Sequence, residues 1–173
     1  TEFPDVLYKE GFGINTPKVY ALGSLVVCIN GGMIHADWQK MIATNKVNKV
    51  AIANPALAPY GKAAEQALRS YKLWDKVRSK VVMGESIAQV NTYINTGVVD
   101  IGFTTEAFVY EHPDAQKLKW IRVDSKSYDK IAQGMVILSH AKKGNYAKAL
   151  KFFNYLQSRA AKQILRKNGY RTP

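Results

Sequence analysis

The residues with a chemical use in this chain are two helix beginnings and a pair of threonines. One beginning is Ala58-Pro59-Tyr60-Gly61 and the other Gly84-Glu85-Ser86-Ile87, with Thr104-Thr105 following a short apolar run. The first amides of a helix have no acceptor within it, and the helix dipole places partial positive charge there, so such ends favour an anion. Hydroxyls nearby add further donors. Proton-transfer and nucleophile sets are not visible. His35, His112 and His140 are scattered, and neither metal-ligand spacing nor a Gly-x-Ser-x-Gly elbow occurs. The single cysteine, Cys28, lies inside the apolar run Leu25–Ile29 and reads as a small buried hydrophobe. No enzyme, catalytic residue, resident metal or cofactor is therefore expected.

The elements that must position these residues lie between Val50 and Phe103. Val50–Ala53 is an apolar run that breaks at Asn54-Pro55. Pro59 reads as the first position of a helix, where its missing N–H costs nothing, and Tyr60, Ala64, Ala67, Leu68 and Tyr71 recur on one side. A second run, Lys80–Met83, leads to Ser86, which reads as the cap of a helix carrying Ile87, Val90 and Ile94 and stopping at Gly97. A third run, Val99–Phe103, follows. Strand, helix, strand, helix, strand predicts a parallel α/β sheet with both helix beginnings on one edge, the ordinary ligand side of such a sheet. On the residues alone, Tyr60 and Ile87 read first as helix-start residues packed in place. Ser86 reads as a cap rather than a ligand, and Glu85 as pointing outward or accepting amides near the helix start.

Outside this stretch, Thr1–Phe12 holds a short helical pattern ending at Gly11, and Val19–Ile29 is strand-like with a break at Gly23-Ser24. Asn30–His35 is a Gly-rich turn, and Asp37 caps a short helix through Ile42. Thr104-Thr105-Glu106-Ala107 enters another helix, His112-Pro113 marks a loop, and Leu118–Val123 and Ile131–Leu138 read as strands. Two helices close the chain. Tyr146–Leu156 is expected to bury Ala149, Leu150, Phe153 and Leu156. Ser158–Asn168 is expected to bury Ala161, Ile164 and Leu165, with Gly169 as its stop.

The chain has 173 residues, 47% of them hydrophobic, enough for one domain or two small lobes. No apolar run approaches the roughly 20 residues of a membrane-spanning helix. No export signal is seen at Thr1, so one is expected to have been removed or to lie outside this sequence. The net charge of +12 is spread along the chain with no nucleic-acid module beside it, so a solvated basic surface is expected and nucleic acid is not. Such a field can still draw in an anionic ligand or membrane surface.

Five blocks together carry a family likeness. Ile52-Ala53-Asn54-Pro55, Ala58-Pro59-Tyr60-Gly61, Leu73-Trp74-Asp75-Lys76, Gly84-Glu85-Ser86-Ile87-Ala88-Gln89 and Thr96-Gly97 with Asp100-Ile101-Gly102-Phe103 resemble, in order and spacing, the periplasmic molybdate-binding proteins of ABC transporters. The likeness continues through Gln133-Gly134 to Leu165–Tyr170 and back to about Val6, nearly the whole chain.

What the resemblance implies is an α/β, type II periplasmic-binding-protein-like fold. One complete lobe (24–135) would join part of a second (1–23 and 136–173) through two crossing strands. The ligand would be molybdate or tungstate, bound by backbone amides at Tyr60 and Ile87, with Thr105 at a position where some members place a tyrosine hydroxyl; Thr104 ranks below it. Pro59 and Ser86 would support the two turns. The implied partner is an ABC permease and the implied place periplasmic or cell-surface. Family members begin with further chain bearing two Ser/Thr turns, which this sequence lacks. A truncated member with weakened or lost binding is expected, with self-association through the incomplete lobe. The competing reading is an effector-sensing domain of a transcriptional regulator with the same two-lobed fold.

Overall fold

A computed structural model describes residues 2–30, 37–111 and 118–173. The Gly-rich turn after Asn30 and the His112-Pro113 loop lie outside the described residues. The chain divides into two compact units, one of Ser24–Ile131 and one of Thr1–Gly23 with Ala132–Pro173.

The Ser24–Ile131 unit is a five-stranded sheet flanked by helices. Its strands are β2 (Leu25–Ile29), β3 (Val50–Ala53), β4 (Val81–Gly84), β5 (Ile101–Thr105) and β6 (Lys119–Arg122), in the order β4-β3-β5-β2-β6. β3 runs parallel to both β4 and β5, whereas β2 is antiparallel to β5 and to β6. The strand–helix–strand repeat therefore gives the parallel arrangement its sequence predicts. All five residues of β2 and all four of β3 are buried, as strands covered on both faces must be.

Side chains alternate between the two faces. Leu25, Val27, Ile29, Val50, Ile52 and Phe103 join one core with the helices α2 (Trp38–Ile42) and α3 (Pro59–Ser70). Val26, Cys28, Ala51 and Ala53 join the other with Val90 and Ile94 of α5 (Ile87–Asn95). A short helix, α4 (Trp74–Val77), and α6 (Glu106–Glu111) also belong to this unit. Burial pushes the Cys28 thiol up to about 12, so it stays protonated and inert, in keeping with its sequence reading. Asp37 caps α2, its Oδ1 accepting from the Lys40 N–H at 3.1 Å.

The other unit pairs β1 (Lys18–Gly23) with β7 (Ile131–Met135, its first residue counted with the sheet unit) and carries α1 (Glu2–Lys9), α7 (Tyr146–Leu156) and α8 (Arg159–Lys167). Its helices bury less than their periodicity suggests. In α7 only Phe153 is buried; Ala149 and Leu156 are half-buried and Leu150 is exposed. In α8 Ala161 is buried, Leu165 is half-buried and Ile164 is exposed. The expectation that all of these side chains are buried is corrected: a helical stripe needs a facing layer, and this unit supplies a two-stranded one. β7 is also shorter than the Ile131–Leu138 run, since Leu138 forms only an isolated bridge to Gly13.

Candidate anion site at one sheet edge

The parallel register brings the two helix beginnings together along the sheet. Ala53, the last residue of β3, is opposite Gly84, the last of β4, so the turns that follow start side by side. The Asn54 N–H donates to the Gly84 carbonyl at 2.7 Å and ties the two turns. Asn54 also organises its own turn: its Oδ1 accepts from the Ala56 N–H at 3.0 Å, and its carbonyl from Leu57 and Ala58 at 3.0 and 2.9 Å. Pro59 is then the first residue of α3, behind an extended Ala58 that contributes no side-chain cap. Ala58, unlike Ser, Thr, Asp or Asn, has no side-chain oxygen with which to cap this helix.

α5 begins differently. Ser86 is its N-cap, the hydroxyl oxygen accepting from the Gln89 N–H at 3.3 Å. Gln89 reaches back so that its Oε1 accepts from the Glu85 N–H at 2.7 Å, a variant of the capping box. The cap serves Gln89 and leaves Ile87, at the first helical position, outside it. The Glu85 side chain is exposed. Ser86→Ala should cost about 1 kcal/mol of stability, seen as a lower denaturation midpoint. An unchanged midpoint would show that the exposed cap contributes nothing.

The third strand reaches the same edge. Val50 and Ala51 of β3 pair with Ile101 and Gly102 of β5, and the parallel register carries Thr104 and Thr105 to the strand's C-terminal end. Both belong to β5, which starts and ends two residues beyond the predicted Val99–Phe103 run. Thr104 is buried and its hydroxyl donates to Asn91 Oδ1 of α5. Thr105 turns to the opposite face, where its hydroxyl oxygen accepts from the Phe108 N–H at 3.0 Å and opens α6. That bond uses a lone pair of Thr105 and leaves its O–H able to donate.

Glu106, next in sequence, is a feature that sequence reasoning missed. It is only 2% exposed, yet it is a carboxylate. Arg122 on β6 donates to it twice, from Nε at 2.8 Å and from a terminal nitrogen, and the Tyr110 hydroxyl donates at 3.0 Å. Burial pushes this carboxyl up, but the bonds from Arg122 and Tyr110 outweigh burial and hold it below the ordinary glutamate range. The charge beside the edge is thereby balanced by a guanidinium, as an anion site requires. The one local signal was an acid directly after a strand; its partner lies sixteen residues away on another strand.

Among the described residues no group of His, Cys, Asp and Glu could hold a metal ion. Helix beginnings and hydroxyls gathered at one edge are donors of the kind an anion takes.

Comparison with known proteins places the chain in a family. The family of bacterial extracellular solute-binding proteins matches residues 1–171. The chain belongs to this family. Within the solute-binding proteins it is 33% identical over 168 residues to the molybdate-binding protein ModA of Azotobacter vinelandii, covering 96% of this chain and 66% of that one. ModA of Rhodobacter capsulatus is 29% identical over 170 residues, covering 98% and 65%. The solved periplasmic molybdate-binding protein of Azotobacter vinelandii matches with a TM-score of 0.88 at 30% identity, over 99% of this chain and 75% of that one. The chain spans just under two thirds of the length of these two curated relatives.

Proposed function

We propose that this chain is the solute-binding component of a bacterial ABC importer for a molybdate- or tungstate-type oxyanion. The observation that carries the reading is the pair of helix beginnings, at Pro59 and Ser86, on the C-terminal edge of the adjacent parallel strands β3 and β4. First-turn amides of α3 at Tyr60 and of α5 at Ile87 point their partial positive charge at that edge, and the Thr105 hydroxyl adds a donor from β5. Pro59 and Ser86 hold the two turns. A doubly charged tetrahedral ion is bound there by neutral donors, with no reaction and no cofactor. The family and the names of its relatives support a periplasmic or cell-surface place of action and a membrane permease as the partner that receives the ion.

Titration calorimetry with molybdate, tungstate, sulfate and phosphate tests this directly. Molybdate and tungstate are expected to bind alike, since they share charge and shape, and sulfate and phosphate more weakly. Binding to this chain should itself be weak, because the donors named come from a single sheet edge and leave the ion's other oxygens to water. Thr105→Val should lower molybdate affinity about tenfold, the worth of one hydrogen bond to a charged group. Equal heats for all four ions, or none with molybdate at millimolar concentration, would overturn the proposal.

A further inference from the structure

The C-terminal segment carries a charge pattern that oxyanion binding does not use. From Ala132 to Pro173 there are nine lysines and arginines and not one aspartate or glutamate. Part of this charge is organised on α7, where Lys148, Lys151, Phe152 and Tyr155 follow the i, i+3, i+4, i+7 spacing of one helical stripe. All four are exposed, Phe152 at 62% and Tyr155 at 45%. Among the described residues no carboxylate pairs with Lys148 or Lys151. Phe152 also borders an apolar groove of about 230 Å³ that it shares with Ile137, Leu138 and Leu156. Lys142 and Lys143, both exposed, lie just ahead of the helix.

We infer that the Lys148–Tyr155 stripe of α7 docks on an anionic phospholipid surface. A face of one charge sign, with no acid within the whole segment, complements a surface of the opposite sign. The aromatic rings that follow the lysines along the stripe select a bilayer over a merely acidic polymer. Phe152 and Tyr155 fit the boundary between headgroups and acyl chains, while the lysine stems lie along apolar surface with their ammonium groups at the phosphates. The docking is peripheral, since among the described residues no helix is long and apolar enough to cross a membrane.

Co-sedimentation with vesicles reads this out. The whole chain should bind phosphatidylcholine vesicles containing about a third phosphatidylglycerol at low salt, stay off pure phosphatidylcholine, and be released near 0.5 M salt. Replacing both lysines (Lys148→Ala with Lys151→Ala) should reduce partitioning roughly 25-fold, at about fivefold for each cation. Phe152→Ser should weaken binding while leaving its salt dependence unchanged. Because these side chains are exposed, circular dichroism should show all variants folded. Equal binding to neutral vesicles, no binding to anionic ones, or variants that partition like the parent would each overturn the inference. So would binding to polyglutamate or to a second copy of the chain without binding to vesicles.

Discussion

Gly61→Ala should destabilise the protein by about 3 kcal/mol and abolish oxyanion binding. In the first turn of α3, a Cβ at position 61 would lie 2.1 Å from the Ala53 carbonyl oxygen and 2.6 Å from its carbon. Both are backbone atoms of β3, so no side chain can turn aside. Two effects compete. Replacing glycine by alanine inside a helix ordinarily gains about 0.5–1 kcal/mol. Overpacking against a fixed backbone costs about 1–3 kcal/mol or more. The close approach decides the sign, and relief requires α3 to lift from the strand end and carry the Tyr60 amide with it. Denaturant midpoints and molybdate titration of the same variant measure both consequences. Lys62→Ala, one residue on and exposed, should move the midpoint by less than about 0.5 kcal/mol. A Gly61→Ala protein as stable as its parent would mean that the helix does not press on β3.

Arg122→Ala carries the second large effect, and its pH dependence is the sharper test. The substitution strips the cation from a carboxylate that is 2% exposed. Breaking a fully buried pair costs about 3–5 kcal/mol, but the Arg122 side chain is 61% exposed and water screens it, which lowers the expected loss to about 2 kcal/mol at neutral pH. In the parent, Glu106 sits below its unfolded value of about 4.3. Its contribution is full above that value and is lost as pH falls through the lower folded one. In Arg122→Ala, burial dominates and raises the Glu106 pKa. That variant then loses stability as pH rises through the raised value, so its deficit against the parent should shrink from pH 7 towards pH 4. Glu106→Gln should flatten the parent's acid limb. A deficit that stays constant across this range would mean that Glu106 is not ionised in the fold.

The legible parts of this protein are those whose causes lie within a few residues of one another. Pro59 behind Ala58, Ser86 three residues before Gln89, and the stop at Gly97 with its φ of 68° are local instructions, and each stands where the sequence puts it. β5 lies two residues beyond its expected run because Thr104 and Thr105 look like a helix entry, whereas Thr105 is both the strand's last residue and the acceptor that starts α6. Glu106 could not be read as a buried charge, since its cation arrives from β6. α7 and α8 bury less than their pattern predicts for the opposite reason. Their periodicity is genuine, but periodicity names the side of a helix able to enter a core, and what faces that side is settled elsewhere in the chain.

The antiparallel insertion of β2 between β5 and β6 has a consequence for how this chain comes into being. The β3-α3-β4-α5-β5 portion can assemble from neighbours in sequence, but Leu25–Ile29 has no hydrogen-bonded strand until Ile101–Thr105 has been made. During synthesis this wholly apolar pentapeptide emerges before either of its partner strands and waits, which marks it as a segment that a holdase chaperone would grasp and that premature collapse would trap.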